Sequence, residues 1–465
     1  MLAPATGNYE VDRQRHVQAF AEGLPTEIAR VEATRAAQHQ LRDQRLSSLL
    51  EHAREHSPWH RRRLASLGSA HASFDDLRSI PPMTKAELMH HWDEIVCDRR
   101  LSLSLADDHI ERIGSHGPAY LLDSYHAAAT GGTTGHRGVI VWDFEGFRLC
   151  GSRAPAWGRS VTNQLKLAIE LPVVAATIGS YSTVHMLGAF TRCFSNPALM
   201  QMHPIAASMP IEQIIERLEE LQPDILAGYA SMLQELALHK LAGRLRIDPA
   251  VVQAGGEPFL PEARAAVSKA FPVPVRDTWG STEVGFGAAS FPGTEGLVIS
   301  EDLVIIEAVD AEGRPVSHGE RATKMFVTNL TNRVLPIIRY EITDEVTLLP
   351  PDPDCPWKGE RLSAIHGRQD EVFVYDGGRK IHPHTFRSPL TQHAAVAEYQ
   401  VRQTTRGAHV VLVGARDVDI DSLKREIEKA LSGAGLEDPV VQIKRAHSIE
   451  RHARSQKLKR FVPLD

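Results

Sequence analysis

The feature that most constrains the fold is an alternation between helical and strand spacing of apolar residues in the middle of the chain. Residues 211–221 carry one apolar stripe at helical spacing, and Pro223 ends it. The predicted elements are, in chain order, a strand with its loop at 167–174, a helix at 211–221, a strand at 224–229, a helix at 231–242 and a strand at 250–254. Helices and strands in this rhythm predict an α/β domain with much parallel sheet.

Glycine-containing polar turns follow two of the predicted strands. Gly255, Gly256 and Glu257 come directly after the strand at 250–254, and the segment D-T-W-G-S-T-E at 277–283 comes at the end of another. Ligands of open α/β sheets lie at the carboxyl ends of strands. We therefore expect both turns to line one crevice.

A loop between Ala129 and Gly138 is built for close contact with an anion. Its ten residues, A-T-G-G-T-T-G-H-R-G, include four glycines and three threonines and no bulky apolar side chain. Glycines let the backbone approach a ligand, and successive N–H groups can form an anion-binding nest. The Walker pattern G-x-x-x-x-G-K-[ST] is absent. Taken alone, the loop could equally be a flexible surface segment. The turn at 277–283 favours anion binding, because it is a second polar, glycine-containing segment.

Length and composition set the class of protein. With 465 residues we expect two or three domains, and a hydrophobic fraction of 42% can fill a large core. A net charge of -6 gives no reason to expect a nucleic-acid surface. No apolar stretch approaches the roughly 20 residues of a membrane helix, and the first residues do not resemble a signal peptide. The four cysteines lie far apart, which fits a reducing cytoplasm.

The sequence changes character near Asp370, and we predict a domain boundary there, with domains at 1–369 and 370–465. In the second domain we expect strands at 399–403, 409–413 and 440–444. A helix is expected at 419–431, with Asp419 or Asp421 as its N-cap. This is a small α+β domain. The N-terminal residues 11–68 are expected to be mainly helical, and the proline-rich residues 350–356 form a loop.

The ordered set of motifs resembles the adenylate-forming superfamily of acyl- and aryl-CoA ligases, adenylation domains and luciferases. The loop at 130–138 is similar to S-S-G-T-T-G-K-P, and W-G-S-T-E at 279–283 is similar to Y-G-S-T-E. S-P-W-H-R-R-R at 57–63 and P-P-M-T-K at 81–85 resemble the phenylacetate–CoA ligase branch. The likeness runs from about Leu49 to Phe461. It implies a large N-terminal α/β domain of mixed sheets and helices, followed by a small, mobile α+β lid.

The resemblance also implies an activity. A carboxylic acid, aromatic in this branch, would react with ATP to give an acyl adenylate and pyrophosphate. Coenzyme A would then accept the acyl group and release AMP, with Mg²⁺ as the metal. The partners would be small molecules, with no nucleic acid and no membrane. A homodimer is possible.

Site residues carry over by position. The phosphate loop would comprise Thr130, Gly131, Gly132, Thr133, Thr134 and Gly135. Adenine would lie between Gly255, Gly256, Glu257 and the ring of Trp279, with Asp277 accepting from its amino group; Thr278, Gly280 and Ser281 complete that box. Thr282 would touch the α-phosphate and Glu283 would hold Mg²⁺.

The remaining roles fall in the last third of the chain. Asp344 would bind the ribose, Arg368 the ribose or a phosphate, and Asp370 would be the hinge. Lys457, in R-S-Q-K-L-K-R at 454–460, would bridge the carboxylate and the α-phosphate, with Lys459 as a rival.

Several positions depart from the family pattern. Trp279 replaces a tyrosine, the box before Asp344 lacks its glycine, and Gln456 stands where a glycine is usual. His136 and Arg137 replace lysine and proline of the loop, and arginine presents its charge differently from lysine.

Two alternatives stay open at this point. The adenylate could pass to an amine, another nitrogen nucleophile or a carrier-protein thiol. The chain could also be a non-catalytic nucleotide-binding relative, because Gln456 and His136 alter two motifs. A dinucleotide-dependent oxidoreductase is disfavoured, since no G-x-G-x-x-G follows a predicted strand.

Overall fold

The computed structural model describes most of the chain. The described residues are 5–67, 74–130, 138–179, 186–194, 196–207, 209–363, 365, 367–368, 372–381, 383–391, 396, 398–413, 418–451 and 458–464.

Helices occur along the whole described chain. They are α1 (Tyr9–Val31), α2 (Arg35–His56), α3 (Pro58–Arg63), α4 (Phe74–Arg78), α5 (Lys85–His90), α6 (Trp92–Ile95), α7 (Leu103–His116), α8 (Phe144–Gln164), α9 (Met186–Phe194), α10 (Ile211–Leu221), α11 (Ala230–Leu241), α12 (Pro261–Ala270), α13 (His384–Thr391) and α14 (Ile420–Gly433). Side-chain caps begin several of them, since Asn8, Thr34 and Ser102 each accept backbone N–H groups of the first turn.

Strands begin after residue 124. They are β1 (Tyr125–Ala129), β2 (Val139–Asp143), β3 (Val173–Gly179), β4 (Met200–Ala206), β5 (Ile225–Gly228), β6 (Val251–Gly255), β7 (Val275–Ser281), β8 (Gly285–Ala289), β9 (Leu297–Ile299), β10 (Val304–Val309), β11 (Arg321–Ala322), β12 (Lys324–Asn329), β13 (Tyr340–Ile342), β14 (Asp344–Leu349), β15 (Arg361–Leu362), β16 (Gly367–Arg368), β17 (Phe373–Tyr375), β18 (Arg379–Ile381), β19 (Glu398–Thr404), β20 (Gly407–Val413), β21 (Val440–Ala446) and β22 (Phe461–Val462).

The central sheet has a parallel half and an antiparallel half. Its described strands follow the order β11-β14-β15-β9-β8-β7-β6-β5-β3-β4, and β16 pairs with β14. Strands β4, β3, β5, β6 and β7 are parallel to their neighbours, whereas β7, β8 and β9 pair antiparallel. The α/β fold class with mixed sheets is therefore confirmed.

The alternating elements lie where the apolar spacing predicted them. Helix α10 covers the predicted 211–221, and each end of β5, α11 and β6 lies within one residue of its predicted position. The strand predicted with its loop at 167–174 was placed too early, because β3 begins only at Val173. Residues 165–167 instead complete the end of α8: Lys166 has a positive φ of 52°, and the Leu167 N–H donates to the Thr162 carbonyl.

Helix α2 packs against β10, whereas α1 packs against α8 and α9. Leu46, Leu49 and Leu50 of α2 are buried in a cluster with Ile305 and Ile338. This apolar face confirms the predicted helical segment. The proline-rich residues 350–356 form a loop as predicted. No helix in the described ranges has the length and apolarity needed to cross a bilayer.

The C-terminal region is α+β, as predicted. Its sheet has the order β21-β20-β19-β22, and α14 begins at the N-cap Asp419, whose side chain accepts the N–H groups of Asp421 and Ser422. One apolar cluster in the described chain contains only residues from Phe373 to Phe461. This region thus has a core of its own.

Candidate active site

The ends of β6 and β7 lie side by side. Gly255 pairs with Thr278 in the parallel ladder, so the two glycine-containing turns share one edge of the sheet, as the strand-end rule predicted. A Cβ on Gly255 would lie 2.6 Å from the Thr278 hydroxyl oxygen. Gly256 has a φ of +76°, which favours glycine. Glycine at 255 therefore permits the close approach of the strands, and glycine at 256 permits the turn that follows.

Trp279 is buried at the end of β7. Its exposed fraction is 6%, and its indole N–H donates to Oδ2 of Asp344 over 2.9 Å. A Cβ on Gly287 would meet the indole ring at 2.5 Å, so this glycine makes room for the tryptophan. The residues assigned to the adenine and the ribose are thus joined directly. Stacking of Trp279 on adenine stays a prediction.

A bulge follows Trp279 and forms the turn that carries Glu283. The register between β7 and β8 shifts at Gly280, and a Cβ on Gly280 would clash with the Gly285 carbonyl oxygen. Bulges of this kind redirect side chains next to functional sites. Gly285 has a φ of +79° and packs against Cys150 of α8.

Glu283 is held in place by two neighbouring strands, one through its carboxylate and one through its backbone carbonyl. The hydroxyl of Tyr340 donates to Oε1 over 3.1 Å, and the amide of Asn329 donates to the Glu283 carbonyl oxygen over 2.8 Å. The residue is 8% exposed. Within the described chain, a hydrogen bond engages only Oε1, so Oε2 remains for a cation.

Ser281 and Thr282 share this turn with Glu283. The Ser281 hydroxyl is buried and has no hydrogen-bond partner within the described chain, while Thr282 is half-buried. This hydroxyl can therefore still form a hydrogen bond with a ligand or a water molecule.

Asp277 lies at the other end of this segment, next to α12. Its Oδ2 is 3.2 Å from Nη2 of Arg264, and its own N–H donates to the Ser290 hydroxyl over 2.7 Å. Burial raises the pKa of Asp277 to about 6, and the charge of Arg264 and the Thr278 N–H oppose that rise. The contact with an adenine amino group stays a prediction.

The two ends of the glycine/threonine loop are bonded to each other. The Thr130 N–H donates to the Gly138 carbonyl over 2.9 Å, and the Gly138 N–H donates to the Thr130 hydroxyl oxygen over 2.8 Å. Gly131, Gly132, Thr133, Thr134 and Gly135 lie outside the described residues. The described residues thus define the neck of the loop.

Lys85 supplies a cation at this neck, and the sequence analysis assigned it no role. Its Nζ donates to the Thr130 hydroxyl oxygen over 3.1 Å. The preceding Thr84 caps α5 in a capping box with Glu87, and Met83 pairs with Tyr340 at the start of β13. The sequence signal for this residue was a lysine directly after a helix-capping threonine. Its contact with Thr130 was not predictable, because the two residues are 45 positions apart in the chain.

Asp344 and Arg368 are neighbours in the backbone ladder. They pair between β14 and β16, which brings the two positions assigned to the ribose to one place. Asp370 and Lys457 lie outside the described residues.

Glu257 faces the C-terminal region. Its Oε1 accepts the Leu458 N–H over 2.7 Å, and its Oε2 accepts the Ser231 N–H over 3.0 Å. Leu458 directly follows Lys457 in the chain. The carboxylate assigned to the adenine site is therefore in contact with the segment that carries the predicted catalytic lysine.

A cavity of about 430 Å³ lies elsewhere. It is lined by α2, α4, β10 and residues 315–318, and none of the residues assigned to the site borders it. The cavity therefore adds nothing to the candidate active site.

Comparisons with known proteins show what the chain is similar to. No family model matches the chain. The chain is 25% identical to the phenylacetate–coenzyme A ligase of Escherichia coli (strain K12), over 83% of this chain and 82% of that protein. It is 24% identical to the phenylacetate–coenzyme A ligase of Pseudomonas putida, over 76% and 74% of the two chains.

Solved structures agree with this fold. The structure of a 2-hydroxyisobutyryl-CoA ligase in its postadenylation state superposes with a TM-score of 0.70 and 18% identity, covering 94% of this chain and 91% of that one. The same ligase in its thioesterification state gives 0.56, with 19% identity and the same coverage. Of these two structures, the chain superposes better on the one in the postadenylation state. The chain is thus an ATP-dependent, AMP-forming ligase with the fold of the adenylate-forming enzymes, and over most of its length it is similar to phenylacetate–coenzyme A ligases.

Proposed function

We propose that this ligase converts a small aromatic carboxylic acid into its coenzyme A thioester through an acyl adenylate, with release of pyrophosphate and AMP. The observation that supports it best is the turn at 281–283. Among the described residues, the Ser281 hydroxyl there has no hydrogen-bond partner, and the Glu283 carboxylate beside it has one oxygen left for a cation. The relatives named phenylacetate–coenzyme A ligases support an aromatic acid and coenzyme A as the acceptor.

The reaction brings two anions together, because a carboxylate must attack the α-phosphate of ATP. A site for it needs fixed positive charge and donors aimed at the phosphates. Lys85 at the neck of the loop supplies charge, and Thr130 and Ser281 supply hydroxyls. In the proposed reaction Lys457 joins them while the carboxylate and the α-phosphate are in contact.

The residues present fit a magnesium ion. Mg²⁺ prefers carboxylate and hydroxyl oxygens and keeps several of its waters. Glu283 offers Oε2, while the Tyr340 hydroxyl holds Oε1 in a fixed orientation. When bound, the metal would neutralise phosphate charge.

The nucleoside half of ATP would be held by residues from three segments. A carboxylate can accept from two hydroxyls at once, and Asp344 would do so for the ribose. The indole of Trp279 fixes the orientation of that carboxylate. The backbone at Gly255 and Gly256 would lie against the adenine, since side chains are absent there.

We place the boundary of the lid between residues 369 and 370, with Asp370 as the hinge. The separate apolar core from Phe373 onward supports this position. Proline fixes φ, so Asp370→Pro is expected to slow thioester formation more than adenylation. Equal slowing of both half-reactions would place the hinge elsewhere.

The function is tested by incubating the protein with ATP, Mg²⁺ and a panel of aromatic and aliphatic acids, with and without coenzyme A. We expect pyrophosphate release that depends on an aromatic acid, and a matching CoA thioester. An adenylate that accumulates despite coenzyme A would favour an amine or a carrier-protein thiol as the acceptor. An absence of acid-dependent release would favour a non-catalytic nucleotide binder.

A further inference from the structure

Glu257 binds both the large domain and the lid. Its carboxylate accepts the N–H of Ser231, at the start of α11, and the N–H of Leu458 in the lid. The side chain is 7% exposed. Two charge-assisted hydrogen bonds to one buried carboxylate favour a fixed position for the partners.

Arg451 makes a second set of contacts at the same place. Its Nη1 donates to the Ser231 hydroxyl over 2.9 Å and lies 3.7 Å from Oε1 of Glu257. Its Nη2 lies 3.5 Å from Oε1 of Glu398, at the start of β19. The guanidinium therefore connects a carboxylate of the large domain with a carboxylate of the lid.

Arg451 and Leu458 flank residues 452–457, which include Lys457. Both flanking residues reach the same oxygen, Oε1 of Glu257. The position of the chain on either side of the predicted catalytic lysine is thus set by one carboxylate. Ser231, Glu257, Glu398, Arg451 and Leu458 are called the lid contact below.

We propose that Glu257 and Arg451 are positioning residues that hold the lid in the adenylation arrangement. This role rests on the proposed function, because it assigns the lid contact to one of its two half-reactions. The better superposition on the postadenylation structure agrees with it. A lid that turns for thioester formation must break these contacts. Their loss should therefore slow adenylation and spare the second step.

The test compares variants in both half-reactions. Arg451→Ala is expected to slow adenylation by about tenfold, since it leaves a carboxylate on each side without its partner. The rate of thioester formation from a supplied acyl adenylate should stay within about twofold of wild type, which is small beside the tenfold loss in adenylation. Arg451→Lys keeps the charge and should restore part of the rate. Arg406→Ala, an exposed arginine elsewhere on the lid, is the matched control.

Glu257→Gln provides a second route to the same answer. It removes the charge that Arg451 approaches but keeps one acceptor oxygen. Residues that act through one contact give non-additive effects. The double variant with Arg451→Ala should therefore be no slower in adenylation than the slower single variant. Additive losses would overturn the shared role.

A readout without activity separates this inference from the proposed function. Hydrogen–deuterium exchange should become faster at the amides of Ser231 and Leu458 in Arg451→Ala, while β19 and β20 keep their protection. If amide exchange becomes faster in Arg451→Ala but the wild-type protein reacts with no acid, the inferred role of the lid contact stands and the proposed function is refuted. Unchanged exchange, or equal slowing of both half-reactions in Arg451→Ala and Glu257→Gln, would overturn the inference.

Discussion

The indole N–H of Trp279 donates a 2.9 Å hydrogen bond to the carboxylate of Asp344. Both residues are buried, at 6% and 5% exposure. The bond joins the end of β7 to the start of β14, and it fixes the orientation of the carboxylate proposed to bind the ribose. Tryptophan in place of the tyrosine usual in the family therefore has a specific partner in this chain.

Trp279→Phe is expected to lower the free energy of unfolding by about 1–3 kcal/mol, because it removes the indole donor from a buried carboxylate. Urea denaturation measures the loss. Asp344→Asn is the matched change, since its amide oxygen can still accept the indole N–H. It should destabilise the protein less while raising the KM for ATP. Equal stability of Trp279→Phe and wild type would contradict this role of the bond.

Glu283→Gln should strongly reduce pyrophosphate release and weaken its dependence on Mg²⁺, because a neutral amide is a poor ligand for a hard cation. Titration of Mg²⁺ at saturating ATP measures both effects. Tyr340→Phe removes only the donor to Oε1 and should have a milder effect. Wild-type Mg²⁺ dependence in Glu283→Gln would remove the metal assignment.

Lys457→Ala should slow adenylation by about a hundred- to a thousandfold, the usual effect of removing one well-placed donor from such a site. Thioester formation from a supplied adenylate should be largely intact. Lys459→Ala is the comparison and should be mild. A selective adenylation defect in Lys459→Ala instead would shift the assignment by two residues.

Adenylation should weaken relative to thioester formation as pH rises through about 7. Burial raises the pKa of Glu398 to about 7 from its ordinary 4.5; Arg451 and Arg460 oppose the rise, and Glu235 and Glu257 add to it. A carboxyl whose pKa is raised in the docked lid binds more protons there than in a lid exposed to water. Below about pH 4.5 Glu398 is protonated in both arrangements and does not oppose docking of the lid. As the pH rises from there to about 7, the free energy of docking becomes progressively less favourable.

The measurement is the ratio of the two half-reaction rates between pH 6 and 8. Glu398→Gln cannot titrate and should make this ratio independent of pH in that interval. A ratio that falls equally in wild type and in Glu398→Gln would assign the effect to another group.

The elements with strong local signals were predictable from the sequence. Helix α10 follows from its apolar spacing, and the adjacency of Gly255 and Thr278 follows from the rule for strand ends. The hydrogen bond between Trp279 and Asp344 joins residues 65 positions apart, and no periodic pattern in the sequence indicates it. The contact of Glu257 with Leu458 was hidden for the same reason, because these residues are 201 positions apart.

The central claim is that this chain adenylates a carboxylic acid, and ATP–pyrophosphate exchange tests it most directly. Labelled pyrophosphate can enter ATP only by reversal of adenylate formation, so coenzyme A is not required. We expect exchange that needs both an acid and Mg²⁺, and that falls sharply in Glu283→Gln. If the protein binds ATP but no acid supports exchange, the proposed activity is contradicted.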